Sequence, residues 1–170
     1  MKKNIFITGK PGCGKTTFVE KVAAALGARA GGFTSTEIRG PRGRVGFALR
    51  TLGGREGVLA HVNCKSPYRV GRYRVNIGDI DSVAVPAIEE AVQAGKIVII
   101  DEIARMELFS KTFRNAVIGA LDSPCRGLAT VQLRRDPFLD AIRARSDVSL
   151  ITVTPGNRNR LVQELVKVLT

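Results

Sequence analysis

The sequence predicts an α/β fold in which a mostly parallel, doubly wound sheet is flanked by helices. Three observations predict it. Apolar runs at Ile5-Phe6-Ile7 and Ile97-Val98-Ile99-Ile100 read as strands buried on both faces. Stretches of helical periodicity alternate with strand-like runs through the amino-terminal segment and the second half of the chain. A glycine-rich turn, Gly9 to Thr16, connects the first apolar run directly to a helix-forming stretch.

Taken in order, Lys3 to Thr8 is the first buried strand and Thr16 to Leu26 the helix after it. From Gly31 to Val75 short apolar pieces sit among many Gly and Arg residues, a pattern of antiparallel hairpins forming an insertion or edge region. Asp81 to Ala94 returns to helical spacing, with Val85, Ile88, Ala91 and Val92 as its apolar stripe and Asp81 or Ser82 as its cap. Ile97 to Glu102 is a strand, Ser110 to Leu121 a helix, and Leu128 to Leu133 another strand. Asp136-Pro137 supplies a cap residue and a first-turn proline for a short helix to Arg145. Val148 to Val153 is the last strand, and Arg160 to Leu169 a closing amphipathic helix. No repeat or low-complexity linker interrupts this order, so one domain over residues 1–170 is expected, with the basic region at 31–75.

Bulk properties narrow the function. The chain has 170 residues, 44% apolar and 25% charged, as in a soluble globular protein. No apolar run approaches the ~20 residues that span a bilayer, so no membrane partner and an intracellular, cytoplasmic location are expected. Cys13, Cys64 and Cys125 are too far apart for a C-x-x-C pair, which points away from a disulfide framework or a zinc site. His61 stands alone and reads as structural. Net charge is +12. Arg39, Arg42, Arg44, Arg50, Arg55, Lys65, Arg69, Arg72 and Arg74 are answered in their own stretch only by Glu56. Such a segment attracts polyanions, either nucleotide phosphates or nucleic acid. Aromatic residues at 5% and the absence of Trp argue against a base-stacking platform. The oligomeric state is not encoded in any motif, and a monomer is the expectation.

Gly9-Lys10-Pro11-Gly12-Cys13-Gly14-Lys15-Thr16 is a complete G-x-x-x-x-G-K-[ST] loop, the Walker A pattern, between strand and helix. Its glycines permit close backbone approach. Its N–H groups can then surround a polyphosphate at the positive end of the following helix. Lys15 reaches β- and γ-phosphates, and Thr16 ligates Mg²⁺. At the carboxyl end of the second apolar run stands Asp101-Glu102, where ligands of such sheets bind. Asp101 is the second candidate Mg²⁺ ligand, and Glu102 the candidate that orients an attacking water. A positive charge near the transferred phosphoryl speeds its transfer. Arg105 is best placed by sequence, with Arg42, Arg44 and Arg55 as alternatives. Glu107 orients that Arg or its loop, or forms a salt bridge on a helix face. Near the carboxyl end, Asn157 and Arg158 are candidates to flank a base through amide hydrogen bonds and guanidinium stacking, or Asn157 caps the last helix.

With these segments in view, the chain resembles the cancer-related nucleoside-triphosphatase family of small P-loop NTPases. The matching segments are Gly9 to Thr17, Gly31-Gly32-Phe33, Glu37-Ile38-Arg39, Arg44 to Phe47, Val98 to Ile103, Met106 to Ser110 and Asn157-Arg158-Asn159. They follow one another over nearly the whole chain, and Asp-Glu-Ile followed by Met-Glu-Leu-Phe is the discriminating part. Ala104, in place of an expected Gly, and Thr34, in place of a common Tyr, depart from the pattern. The resemblance implies a RecA-like fold and Mg²⁺-dependent hydrolysis of several nucleoside triphosphates, with ATP and GTP among them, to the diphosphate and phosphate. It places Lys10, Pro11, Cys13 and Thr17 with the nucleotide-binding residues. It also implies a relationship to nucleotide kinases, which leaves phosphoryl transfer to a small acceptor as the alternative activity. A nucleic-acid-regulated NTPase is the other.

Overall fold

The computed structural model describes residues 1–170. Nine strands form one sheet: β1 (Asn4–Thr8), β2 (Ala30–Gly40), β3 (Gly43–Thr51), β4 (Glu56–His61), β5 (Arg69–Val70), β6 (Tyr73–Val75), β7 (Ile97–Ile103), β8 (Gly127–Val131) and β9 (Val148–Thr152). Their order across the sheet is β5-β6-β4-β3-β2-β7-β8-β1-β9. The helices are α1 (Lys15–Leu26), α2 (Ile77–Asp79), α3 (Val85–Gln93), α4 (Lys111–Asp122), α5 (Pro137–Arg143) and α6 (Arg158–Leu169). No helix is long and apolar enough to cross a membrane.

β1 pairs in parallel with β8 and β9, and β7 with β8 and β2. Helices therefore cover both faces of this half, and its strands carry apolar residues on both sides. The run 97–100 divides accordingly. Ile97 and Ile99 pack with Phe18, Val22 and Leu165 of α1 and α6. Val98 and Ile100 pack with Ile88 of α3 and Phe113 and Val117 of α4.

The basic segment is a continuation of the sheet. β2 pairs through Ala30–Phe33 in parallel with β7, and then through Phe33–Gly40 in antiparallel fashion with β3. One long strand thus serves two kinds of ladder. Phe33 and Leu49 bury the inner face of the antiparallel half in the same core as α3 and α4. The Tyr73 ring lies edge-on to Phe47 at 5.2 Å.

The second helical segment begins earlier than its apolar stripe suggests. Helix starts at Ile77, where the Asn76 side chain accepts from the Asp79 N–H at 3.0 Å. It passes through a π-turn, Ile80–Ala84, before α3. Asp81 and Ser82 are therefore interior and cap nothing. Asp81 instead accepts a hydrogen bond from the Ser110 hydroxyl, and Ser110 caps α4 through the Phe113 N–H at 3.0 Å. Asp136 caps α5 as its sequence position requires, accepting from Phe138 N–H at 2.9 Å and Leu139 N–H at 3.1 Å.

Candidate active site

β1 and β7 are separated by β8, so their carboxyl ends stand two strand spacings apart, about 10 Å. The loop after β1 and the acids at the end of β7 open onto that gap. A cleft of about 540 Å³ is lined there by Gly12, Gly14–Thr17 and Glu20 from the loop and α1, and by Asp101 and Glu102 from β7. The turn 104–107, Gln132, and residues of β2, β3, β4 and β5 complete the walls.

The loop is built for a ligand at its centre. Gly14 has φ +89° in the left-handed region, where a side chain is strained, and forms the N-cap of α1. No side chain caps that helix, so its first-turn N–H groups are left for a bound anion. Lys15 Nζ donates to the loop carbonyls of Gly9 and Lys10 at 3.0 and 3.2 Å. Lys10, Pro11 and Cys13 are loop residues outside the cleft lining.

At the end of β7 the register slips. Ile100 faces Ala129 and Ile103 faces Val131, so Asp101 and Glu102 share the single Thr130 opposite them. The two acids, joined by a cis peptide bond, thereby leave the regular ladder. Asp101 is buried, and the Thr130 hydroxyl donates to its Oδ1 at 2.6 Å. Burial pushes the Asp101 carboxyl above its ordinary range, while hydrogen bonds from Thr130, Thr16 and the Ser35 N–H pull it back. Thr16 and Asp101, predicted as partners from segments 85 residues apart, therefore meet. Burial, and then the Asp101 charge, also raise Glu102, and Lys15 opposes them. A carboxylate beside a threonine hydroxyl is a hard oxygen donor pair. Mg²⁺ takes one or two carboxylates together with phosphate oxygens and water, so these residues fit it. No cluster of three or more His, Cys, Asp or Glu side chains forms a complete cage.

Of the four arginines considered beside the phosphoryl group, Arg105 alone lines the cleft. Its N–H donates to Gln132 Oε1 at 3.2 Å, and its guanidinium makes no ion pair. Arg44 is held by Glu37 at 3.0 Å and by Tyr73 Oη at 3.0 Å. Arg55 pairs with Glu90 at 2.9 Å beside a different depression of about 620 Å³, near the far end of α1. That depression has neither a phosphate loop nor grouped acids. Arg42 is exposed in the β2–β3 turn.

Glu107 forms no helix-face salt bridge. It is 2% exposed in a short 3₁₀ turn, lines the cleft, and leaves Oε2 without a partner. Burial, followed by the Glu102 charge, pushes its carboxyl well above the ordinary range. Composition gave no sign of this third acid's burial; its position in Met106-Glu107-Leu108-Phe109, between apolar neighbours, is the signal that bears on it. Thr130 and Gln132 carry no motif of their own within the strand-like run 128–133, and the Thr inside that largely apolar run is the one visible signal.

On the other side of the loop, Arg158 at the start of α6 lies against Gly14 and Cys13, its Nη1 3.5 Å from the Cys13 carbonyl. Asn157 occupies the N-cap position without capping. Its Oδ1 accepts from the Thr154 N–H at 2.8 Å and its Nδ2 donates to the Thr152 carbonyl at 2.9 Å. The Asn157 amide thus shapes the loop after β9, and Arg158 is the group laid across the phosphate loop. His61 is likewise structural, accepting the Asn63 N–H at 3.0 Å.

Residues 4–166 match a family model described as NTPase. The chain is 43% identical over 165 residues to the nucleoside-triphosphatase THEP1 of Thermotoga maritima, covering 97% of this chain and 94% of the relative. It is 36% identical over 187 residues to a mouse protein named cancer-related nucleoside-triphosphatase homolog, covering 99% and 97%. The crystal structure of THEP1 from Aquifex aeolicus superposes with a TM-score of 0.90 at 37% identity, covering 98% of each chain. The solution structure of a human cancer-related nucleoside triphosphatase does so at 0.83 and 34%, covering 98% and 97%.

Proposed function

The chain belongs to the NTPase family, an enzyme family of nucleoside-triphosphatases, and from that premise we propose that it hydrolyses nucleoside triphosphates to the diphosphate and phosphate with Mg²⁺ and little base preference. The observation that carries the reading is the convergence of the Lys15-Thr16 end of the phosphate loop and the Asp101-Glu102 pair on one cleft. Loop N–H groups and Lys15 bind the β- and γ-phosphates. Thr16 and Asp101 hold Mg²⁺, which neutralises charge on the phosphate oxygens when bound. Glu102, its carboxyl raised by burial and by the Asp101 charge, accepts a hydrogen bond from the attacking water and aligns it with the γ-phosphorus. Arg105, free of ion pairs at the rim, supplies positive charge as the bond to the leaving diphosphate breaks. Arg158 stacks on the base from outside the loop. A site made of backbone donors and one stacking guanidinium distinguishes bases weakly.

The test is a pair of variants read for binding and turnover separately. Lys15→Ala loses both. Glu102→Gln keeps nucleotide binding and loses about 10²-fold or more in phosphate release. Parental turnover in Glu102→Gln removes Glu102 from the mechanism. A second reading, phosphoryl transfer to a small acceptor, draws on Phe47, Leu59 and Val70, an apolar wall beyond the carboxylates. γ-Labelled ATP distinguishes the two, since transfer faster than release to water would mark a kinase.

A further inference from the structure

The wall of the cleft carries one acid that the hydrolytic mechanism leaves unused. Glu107 stands in the short turn that follows β7. That turn is fixed from several sides. The Leu108 N–H donates to the Ala104 carbonyl at 3.1 Å, and the Ser110 N–H to the Glu107 carbonyl at 3.1 Å. The Arg105 N–H is held by Gln132, and Leu108 belongs to the same core as Phe113. Glu107 therefore lines the cleft from a rigid mount, with Oε2 enclosed and unpartnered.

The surrounding charges decide the state of that carboxyl. The ionisable side chains of the cleft are Glu20, Glu37, Asp101, Glu102 and Glu107 against Lys15 and Arg105, an acidic set for a site that takes a polyanion. Glu37 is neutralised by Arg39 at 2.7 Å and Arg44 at 3.0 Å. Glu20 is exposed to solvent, and Lys15 opposes Glu102. Asp101 is assigned to the metal. Glu107 is both sealed from solvent and without a cationic partner. Burial, and then the Glu102 charge, hold its proton in place. A third ionised carboxylate beside Asp101 and Glu102 would repel a terminal phosphate, whereas a carboxylic acid donates a hydrogen bond to it.

Position selects the ligand atom. In the proposed pose the base lies with Arg158 on the outer side of the phosphate loop, and the loop faces the acids across the gap between β1 and β7. The γ-phosphoryl is the part of the nucleotide that reaches the β7 side. We propose that Glu107 is a γ-phosphoryl-binding residue, a carboxylic acid whose Oε2–H donates to a terminal phosphoryl oxygen and so selects a triphosphate over a diphosphate. The identity of the ligand rests on the nucleotide-hydrolysing function proposed above. No proton changes hands. The hydrogen bond forms when the triphosphate arrives and has no acceptor once phosphate has left, so the diphosphate is held more weakly.

The experiment is isothermal titration calorimetry of the full chain near neutral pH with Mg²⁺. The ligands are ADP and an ATP analogue with NH in place of the β,γ-bridging oxygen, which resists cleavage. Glu107→Leu is expected to weaken the analogue about tenfold to a hundredfold, the loss of one hydrogen bond to a charged oxygen, and to leave ADP within about threefold of the parent. Glu107→Gln keeps a donor in the same place and stays within about threefold of the parent for both ligands. Equal weakening of the analogue in the two variants overturns the proposal, since the carboxylate charge is then what the ligand needs. So does parental binding of the analogue by Glu107→Leu, or a parallel loss of ADP. Glu107→Leu removes an enclosed, unpartnered oxygen, so its urea midpoint is expected at or above the parent's. If the midpoint falls instead, Glu107→Met, closer in shape, carries the same comparison. The two readings fail separately. A parent that binds the analogue yet releases no phosphate from ATP sinks hydrolysis, and a Glu107→Leu variant that binds it as the parent does sinks the Glu107 contact.

Discussion

Glu107 illustrates how a single residue changes meaning once its surroundings are known. In the sequence it is one acid among 15. In the fold it is enclosed, with an unpartnered oxygen, behind the acid proposed to align water. Its raised pKa has a definite thermodynamic sign. The folded state holds the proton more tightly than the unfolded chain does, so ionisation draws the equilibrium toward unfolding as pH climbs above the unfolded value. Glu107→Gln removes that penalty. Its urea midpoint is therefore expected to gain on the parent progressively from about pH 5 to about pH 8. A constant difference across that range would show that Glu107 ionises in the folded protein as it does in water.

The elements are governed by local chemistry that can be tested one piece at a time. Asp136 accepts two N–H groups at the start of α5, and Asp136→Ala is expected to cost about 1 kcal/mol by thermal or urea unfolding. Gly32 marks where β2 changes from a parallel to an antiparallel neighbour. Its φ is +117°, and a Cβ there would stand 2.0 Å from the Ile99 carbonyl oxygen. Gly32→Ala must therefore open the β2–β7 ladder, at an expected cost of about 2–3 kcal/mol. Stability within experimental error of the parent would mean that β2 and β7 are not so closely apposed. The alternation of strands and helices, the cap of α5 and the two-sided burial of β7 were all legible in the chain. The start of the helical segment at Ile77 was not. Its first turns are held by Asn76, while Pro86 and the apolar stripe lie further along and dominate the periodicity.

For the whole molecule, the proposed site couples ligand binding to folding. The loop belongs to the β1–α1 connection and the acids to β7, so a triphosphate that contacts both ties together two strands that touch only through β8. Nucleotide at about 100 times its dissociation constant with Mg²⁺ is expected to add about 2.7 kcal/mol of stability. For a chain of this size that raises the unfolding midpoint by about 5–10 °C, and Lys15→Ala abolishes the shift. A thermal scan with and without nucleotide and metal reads both.

The sequence by itself determined the α/β class, the phosphate loop with its following helix, the acids at the end of a buried strand, and the concentration of the chain's net positive charge, nine basic residues against one acid, between residues 39 and 74. Each is a local matter of periodicity, backbone freedom or residue spacing within one segment. Only the tertiary structure decided that Thr130 stands between the two halves of the site, that Glu107 is sealed beside them, and that Arg105 is the arginine left at the rim. It also decided that Arg69 and Arg74 stand face to face. Strand order and register set those distances, and both arise from contacts between segments far apart in the chain, where no local pattern records which residues become neighbours.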